Sequence, residues 1–148
     1  MTSLTPTSSI LPDINLWLAL NFERHSHSSA AASWYESLDP LPRFVFCRQT
    51  QLGLFRMLSN SAVMGGKPLG QSSCWQIYDQ WIDSGQAVFL DEPRDLERSL
   101  RAEARTQLVA TKLWMDSYLA AFAESGGLTL VTFDRALAGR APNSVLLA

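Results

Sequence analysis

The stretch ILPDINLWLAL, residues 10–20, decides how the rest of this chain is interpreted. Its first residues form a short apolar run that predicts a buried strand over residues 10–13, and a helix is predicted from Asn15 to Asn21. Asp13 therefore stands at the carboxyl end of a strand. A carboxylate in that position must be desolvated, paired with another group or bound to a ligand. What Asp13 holds is the central question that this sequence raises.

The size and charge of the chain exclude several classes of protein. At 148 residues it is long enough for one well-buried domain. A net charge of -2 and a pI near 5.6 argue against a protein that coats nucleic acid through bulk positive charge. Cys47 and Cys74 lie far apart in no metal-binding spacing, so we expect reduced thiols in a cytoplasmic protein. No signal peptide is recognised at the start, and no apolar run is long enough to cross a membrane.

Strand-like and helix-like segments alternate along the chain. Strands are predicted at residues 10–13, 43–47, 87–90 and 128–133, with the final SVLLA as a candidate fifth. Helices are predicted at residues 15–21 and 28–38, in the segment QTQLGLFRMLSN that ends near residue 60, and at residues 73–84. Two more are predicted, one that begins at Pro93 and one at residues 114–124. The alternation predicts an α/β fold in which a mainly parallel sheet of four or five strands carries helices on both faces. We expect residues 1–9 to be a flexible tail and residues 10–148 to be a single domain.

Three aspartates occupy the ends of predicted elements. Asp13 follows the first strand, Asp134 follows the strand LTLVTF, and Asp116 is placed in the first turn of the helix WMDSYLAAFAE, where the helix dipole favours an anion. Each one alone is more often a helix cap or a turn residue. If they converge at the carboxyl edge of the sheet, their repulsion requires a cation between them. Oxygen ligands suit Mg²⁺ or Mn²⁺, which activate water and stabilise charge on a phosphodiester. The pattern predicts phosphodiester hydrolysis.

Four motifs in order resemble a known family. LPDINLWLAL, TQLGLFRMLSN, WMDSYLAAFAE and LVTFDRAL occur in the order seen in PIN domains, particularly the VapC-like toxins of bacterial type II toxin–antitoxin systems. The resemblance covers nearly the whole chain after the tail. It implies a three-layer α/β sandwich around a parallel sheet, and an endoribonuclease that depends on Mg²⁺ or Mn²⁺. It also implies that the protein forms a homodimer without membrane attachment and is inhibited by a VapB-like antitoxin. The implied substrate of the enzyme is RNA of the tRNA or rRNA class.

The resemblance also assigns roles to individual residues. Acidic residues at the positions of Asp13, Asp116 and Asp134 hold the metal ion and are catalytic in the family. Thr132 resembles a hydroxyl residue that orients the first aspartate, and Asn15 matches an adjacent polar position.

One position departs from the family pattern. Gln51 stands where the family commonly has a glutamate, and glutamine supplies an oxygen without a charge. Three interpretations stay open: three carboxylates suffice, a nearby acid such as Glu92 compensates, or the chain is a catalytically weakened PIN fold that binds RNA or an antitoxin.

Several arginines are candidate contacts for RNA or an antitoxin. Helical spacing predicts that four of them share one basic face, and these are Arg94, Arg98, Arg101 and Arg105. The alternative is a solvated face paired with Glu97 and Glu103. Arg56 matches a position where the family often keeps arginine, and it either supports the pocket or forms a surface ion pair.

The remaining features are given ordinary structural interpretations. We expect His25 and His27 to lie in a plain polar loop, and the five tryptophans to be mostly core, including Trp114 beside Asp116. A receiver-like domain with Asp13 as phosphoacceptor is a further alternative. It ranks below the others, because DIN lacks the second acid of a paired motif and no suitably placed lysine is found near the last strand.

Overall fold

A five-stranded parallel sheet forms the centre of the molecule. The computed structural model describes residues 8–148, and its strands are β1 Ser9–Pro12, β2 Arg43–Phe46, β3 Ala87–Phe89, β4 Thr129–Thr132 and β5 Ser144–Leu146. They lie in the order β3-β2-β1-β4-β5, and every neighbouring pair is parallel. The predicted sheet is confirmed, and the SVLLA segment supplies its fifth strand. The strand order reverses between β1 and β4, the place where open α/β sheets form ligand crevices.

Seven helices in the described part of the chain cover the two faces of the sheet. They are α1 Ile14–Asn21, α2 Ser28–Ser37, α3 Arg48–Leu58, α4 Gln71–Asp83, α5 Leu96–Glu103, α6 Lys112–Gly126 and α7 Arg135–Arg140. Alternate strand residues point to opposite faces. Phe44 and Phe46 therefore join a core under α1–α4, where Trp17 stacks on Phe46 with ring centroids 3.8 Å apart. Val45 joins a second core under α5, α6 and α7. The predicted three-layer arrangement is confirmed.

Several predicted boundaries shift in the structure. Strand β1 already includes Ser9, the last residue of the predicted tail, and residues 1–7 of that tail lie outside the described part of the chain. Pro93 is not the first residue of a helix, because a turn closed by Leu96 N–H on the Pro93 carbonyl precedes α5.

Helix α6 begins at Lys112, two residues earlier than predicted, so Asp116 is its fifth residue and lies beyond the first turn. The dipole argument for Asp116 was therefore wrong.

Two tryptophans expected in the core are exposed. Trp114 is 65% exposed and Trp75 is 46% exposed. Helix α6 turns Asp116 and the apolar residues from Leu119 onward toward the interior, and this leaves its Trp114 face in solvent. In the described residues, no helix combines the length and apolar character needed to span a membrane.

Candidate metal centre

Asp13 and Asp134 lie side by side at the carboxyl edge of the sheet. Asp13 directly follows β1, and Asp134 stands two residues after the end of β4, which pairs with β1 up to Pro12 and Val131. Both are helix N-caps: Asp13 Oδ1 accepts from Leu16 N at 2.8 Å, and Asp134 Oδ1 accepts from Ala136 N at 2.9 Å. Capping occupies one oxygen of each carboxylate. The second oxygen of each is available for other contacts.

Thr132 links these two aspartates. Its buried hydroxyl accepts a hydrogen bond from Asp134 N at 2.9 Å and donates one to Asp13 Oδ2 at 2.5 Å. Because the backbone N–H approaches one side of the hydroxyl oxygen, the hydroxyl proton is left to point at Asp13. Asp13 is thereby held from two directions, by Thr132 and by the first turn of α1.

Asp116 enters the same pocket from α6. A cavity of about 360 Å³ brings the three predicted aspartates together with residues from α1, α3 and α7, and it is lined by Asp13, Ile14, Asn15, Gln49, Met57, Lys112, Met115, Asp116, Leu119, Asp134 and Leu137. Lys112 lies one helical turn before Asp116. Its Nζ is 2.6 Å from Asp134 Oδ2 and 4.0 Å from Asp116 Oδ2.

The electrostatics of the pocket follow from burial and from Lys112. Burial is the main cause that raises the pKa of Asp13, and repulsion from the other two aspartates adds to it, against the hydrogen bonds from Thr132 and Leu16. Burial likewise raises the pKa of Asp116, and Lys112 opposes this. The hydrogen bond from Lys112 lowers the pKa of Asp134. A cation already stabilises the charge of one carboxylate here.

The donor set of the pocket fits a hard divalent cation. Carboxylate oxygens are the ligands that Mg²⁺ and Mn²⁺ prefer, and Asn15 and Gln49 add carboxamides to the wall. Across residues 8–148, no group of three or more His, Cys, Asp or Glu side chains is arranged to hold a metal ion as positioned. The pocket thus combines suitable ligand chemistry with a lysine that is bonded to one of the carboxylates.

The other supporting residues are placed differently. Asn15 is exposed at the pocket rim, where its Oδ1 is 2.9 Å from His25 Nε2. Gln51 is buried outside the pocket lining, and its Oε1 accepts from Arg48 Nη1 at 2.6 Å. Glu92 is also outside the lining and accepts from the Tyr118 hydroxyl at 3.0 Å.

Two polar residues of the pocket were missed in the sequence. The sequence spacing could have predicted Lys112, since it lies four positions before Asp116 and therefore on the same helical face. No sequence pattern indicated Gln49. Its Oε1 is buried and has no hydrogen-bond partner in the described part of the chain. An unpaired buried oxygen beside carboxylates is a further polar group that a bound ligand can use.

The predicted basic face on one helix is wrong. Helix α5 has only eight residues, so Arg98 and Arg101 belong to it, while Arg94 precedes it and Arg105 follows it. Arg101 pairs with Glu97 at 3.2 Å, and both side chains are largely exposed. Arg56 lies in a separate groove between α3 and α4 and does not line the acidic pocket.

The histidines lie in the α1–α2 connection, as expected, and border the pocket. His25 reaches its rim through Asn15, and His27 stacks on Phe133 with centroids 4.2 Å apart. Phe133 directly precedes Asp134.

Comparisons with known proteins agree with this architecture. A family model for the PIN domain matches residues 10–141. The chain is 41% identical over 131 residues to Ribonuclease VapC41 of Mycobacterium tuberculosis, in strains CDC 1551 / Oshkosh and ATCC 25618 / H37Rv, which covers 86% of this chain and 90% of the relative.

Solved structures share the fold. The chain resembles VapBC2 from Rickettsia felis bound to a DNA fragment from their promoter, with a TM-score of 0.64, 16% identity, and coverage of 95% of this chain and 99% of that one. It also resembles FitAcB from Neisseria gonorrhoeae, with a TM-score of 0.54, 19% identity, and coverage of 93% and 96%.

Proposed function

Because this chain belongs to the PIN domain family, we propose that it is a VapC-like toxin, an endoribonuclease that hydrolyses RNA phosphodiester bonds with the help of Mg²⁺ or Mn²⁺. One observation carries the proposal. Asp13, Asp116 and Asp134 come from three separate elements and line one pocket at the reversal point of the sheet. Its relative in Mycobacterium tuberculosis is named a ribonuclease, and the similarity extends over most of both chains.

The three carboxylates are the groups that would hold the divalent cation. Such an ion, when bound, lowers the pKa of a coordinated water and stabilises negative charge on a phosphodiester. The chain itself supplies positioning: Leu16 N and Thr132 fix the carboxylate of Asp13, and the first turn of α7 fixes that of Asp134. Because these bonds come from backbone and a buried hydroxyl, the ligands are held before the substrate arrives.

We further propose that the partner of this chain is a VapB-like antitoxin and that the chain forms a homodimer. The toxin–antitoxin complexes among the structural relatives support an antitoxin partner. On this chain, large apolar side chains are exposed on and just before α6, and these are Leu108, Val109, Trp114 and Met115. Met115 also lines the acidic pocket. Contiguous exposed apolar surface is typical of protein interfaces.

The structure bears on the weakened-enzyme alternative through Gln51. That residue faces Arg48 and lies outside the residues that line the pocket, so glutamine at this position leaves the three pocket carboxylates in place. An active nuclease is therefore the better supported of the two functions.

The first experiment replaces each aspartate with asparagine. Purified Asp13→Asn, Asp116→Asn and Asp134→Asn proteins are incubated with total RNA in Mg²⁺ or Mn²⁺, and the cleavage ends are mapped. We expect the rate of RNA cleavage by each variant to fall at least about a hundredfold. A neutral carboxamide binds the cation more weakly than a carboxylate does and no longer fixes its position.

The matched control is Asp79→Asn, an exposed aspartate on α4. It should cleave as the unchanged protein does, and circular dichroism should show that all four variants fold. A folded pocket variant with unchanged cleavage would remove that aspartate from the site, and cleavage that persists in a chelator would exclude the metal.

A further inference from the structure

Lys112 is the one cationic residue among the described residues that line the acidic pocket. It is the first residue of α6, and its side chain is 67% exposed although its Nζ is 2.6 Å from Asp134 Oδ2. Its second carboxylate neighbour, Asp116 Oδ2, is 4.0 Å away. The four-carbon stem is therefore tethered at its tip while most of its length remains in solvent and able to change rotamer.

The position of Lys112 sets up a competition. The Asp134 oxygen that it contacts is the one that capping of α7 leaves over. A divalent cation that uses this oxygen must displace the ammonium group, since both are attracted to the same lone pairs. A lysine side chain is protonated at neutral pH, so the displaced group leaves as a cation.

The charge balance of the pocket indicates where the displaced ammonium goes. Three carboxylates outweigh one divalent cation by one negative charge, so a loaded pocket without Lys112 still repels a phosphodiester. Lys112 supplies the missing positive charge at the exposed lip of the same pocket. A lysine ammonium is a compact point charge with three donors, and it binds phosphate oxygens readily.

We propose that Lys112 is a phosphate-binding residue of this active site, which Asp134 and Asp116 hold until a divalent cation displaces it toward the RNA backbone. This inference rests on the proposed nuclease function and deepens it. Lys112 thus has two opposite effects: it weakens cation binding in the free protein, and it strengthens the engagement of RNA once the cation is bound.

The test is Lys112→Met, which keeps much of the length of the side chain and removes its charge. Titration of the RNA-free protein with Mn²⁺ by isothermal calorimetry should show a dissociation constant lower by about threefold, the size expected for loss of a partly exposed ion-pair competitor. At saturating Mn²⁺, kcat/KM for RNA cleavage should fall by about tenfold or more, as for loss of a charge-assisted hydrogen bond.

Two controls accompany this variant. Lys67→Met removes the only other lysine of the chain, which is exposed outside the pocket lining, and should change neither quantity. Lys112→Arg keeps the charge and should retain most of the cleavage.

Unchanged or weaker Mn²⁺ binding by Lys112→Met would overturn the competition, and unchanged kcat/KM would overturn the phosphate contact. Failure of the proposed function gives a different result. The unchanged protein would then not cleave RNA, or Asp13→Asn would still cleave it, while the Mn²⁺ titration would still report on Lys112.

Discussion

Asp13 and Asp134 each perform two tasks with one carboxyl group. One oxygen caps a helix, and the other meets a side chain at the pocket, Thr132 for Asp13 and Lys112 for Asp134. The cap interpretation and the ligand interpretation therefore do not compete, since they use different atoms. In this structure, Asp13 holds the first turn of α1 and the hydroxyl of Thr132. These bonds offset part of the cost of burying its charge.

Two glutamines on α3 have opposite surroundings. Gln49 lines the acidic pocket with an unpaired buried Oε1, whereas the carbonyl of Gln51 is already bonded to Arg48. We expect Gln49→Glu to lower the Mn²⁺ dissociation constant by about tenfold, because affinity for hard cations rises with the number of charged ligands. Gln51→Glu should change it by less than about twofold, since the new carboxylate would pair with Arg48.

Isothermal titration with Mn²⁺ measures both variants, each serving as the control for the other. A larger gain from Gln51→Glu than from Gln49→Glu would mean that residue 51 reaches the cation. The glutamine at that position would then represent a lost ligand, and the weakened-enzyme interpretation would regain its support.

Gly53 of α3 packs directly against the side chain of Ile14 in α1. A Cβ placed on Gly53 would overlap Ile14 Cδ1 and lie 2.6 Å from Ile14 Cγ1. Ile14 directly follows Asp13 and lines the acidic pocket. The missing side chain of Gly53 therefore lets α3 bring Gln49 and Met57 to the pocket beside the first turn of α1.

Gly53→Ala should destabilise the protein through this contact. The β-branched Ile14 has few rotamers to escape into, so the added methyl group overpacks the interface and should cost about 1–3 kcal/mol in the free energy of unfolding. Urea denaturation measures the change. Gly139→Ala in α7 is the matched control, because a Cβ there meets nothing within 4 Å. It should leave stability unchanged or raise it by up to about 1 kcal/mol, since alanine is the better helix former.

A double-mutant cycle with Ile14→Ala identifies the cause. If the clash is responsible, Gly53→Ala should cost much less in the Ile14→Ala background than in the unchanged protein. An equal cost in both backgrounds would contradict the packing explanation.

Arg140 joins the three helices on the second face of the sheet. Its guanidinium donates to the Glu103 carbonyl at 2.9 Å, to the Leu113 carbonyl at 3.3 Å and to Ser117 Oγ. Glu103 ends α5, Leu113 and Ser117 belong to α6, and Arg140 ends α7. The start of α6, which carries Lys112 and Asp116, is thus tied to its neighbours by charge-assisted bonds.

The folded molecule concentrates negative charge that the unfolded chain would disperse. Burial raises the pKa of Asp13 and of Asp116 in the folded state, so ionisation of these groups at neutral pH lowers the stability of the metal-free fold. As pH falls through their folded-state pKa values, this penalty disappears. Asp134 has the opposite sign, because Lys112 lowers its pKa and the stabilisation is lost in acid.

A divalent cation should therefore stabilise the whole protein. Binding to the native state alone adds about 2.7 kcal/mol when the free ion is at a hundred times its dissociation constant. We expect the Tm to rise progressively with Mn²⁺ concentration in the unchanged protein and very little in Asp116→Asn. Thermal unfolding at fixed pH and ionic strength measures both proteins. An equal rise in both proteins would indicate general ion binding outside the pocket.

The sequence by itself determined the sheet, its layers and the placement of two aspartates. Apolar runs and helical periodicity are local signals, and a carboxylate directly after a buried strand must lie at the edge of a parallel sheet. Asp13 and Asp134 could therefore be placed in the crevice without any knowledge of contacts. The sequence also offered Asp116 as a third carboxylate, on a helix-dipole argument that its position in α6 contradicts, and the family resemblance added Thr132.

The tertiary structure alone decided how the pocket is completed. Thr132 meets Asp13 across 119 positions and Lys112 meets Asp134 across 22, and no local pattern specifies such pairs. Successive residues of a helix lie about 100° apart, so the packing of α3 decided that Gln49 and not Gln51 faces the aspartates. The same packing decided that α6 turns Asp116 inward and Trp114 outward. Local sequence sets which elements form, and the orientation of each helix depends on the partners against which it packs.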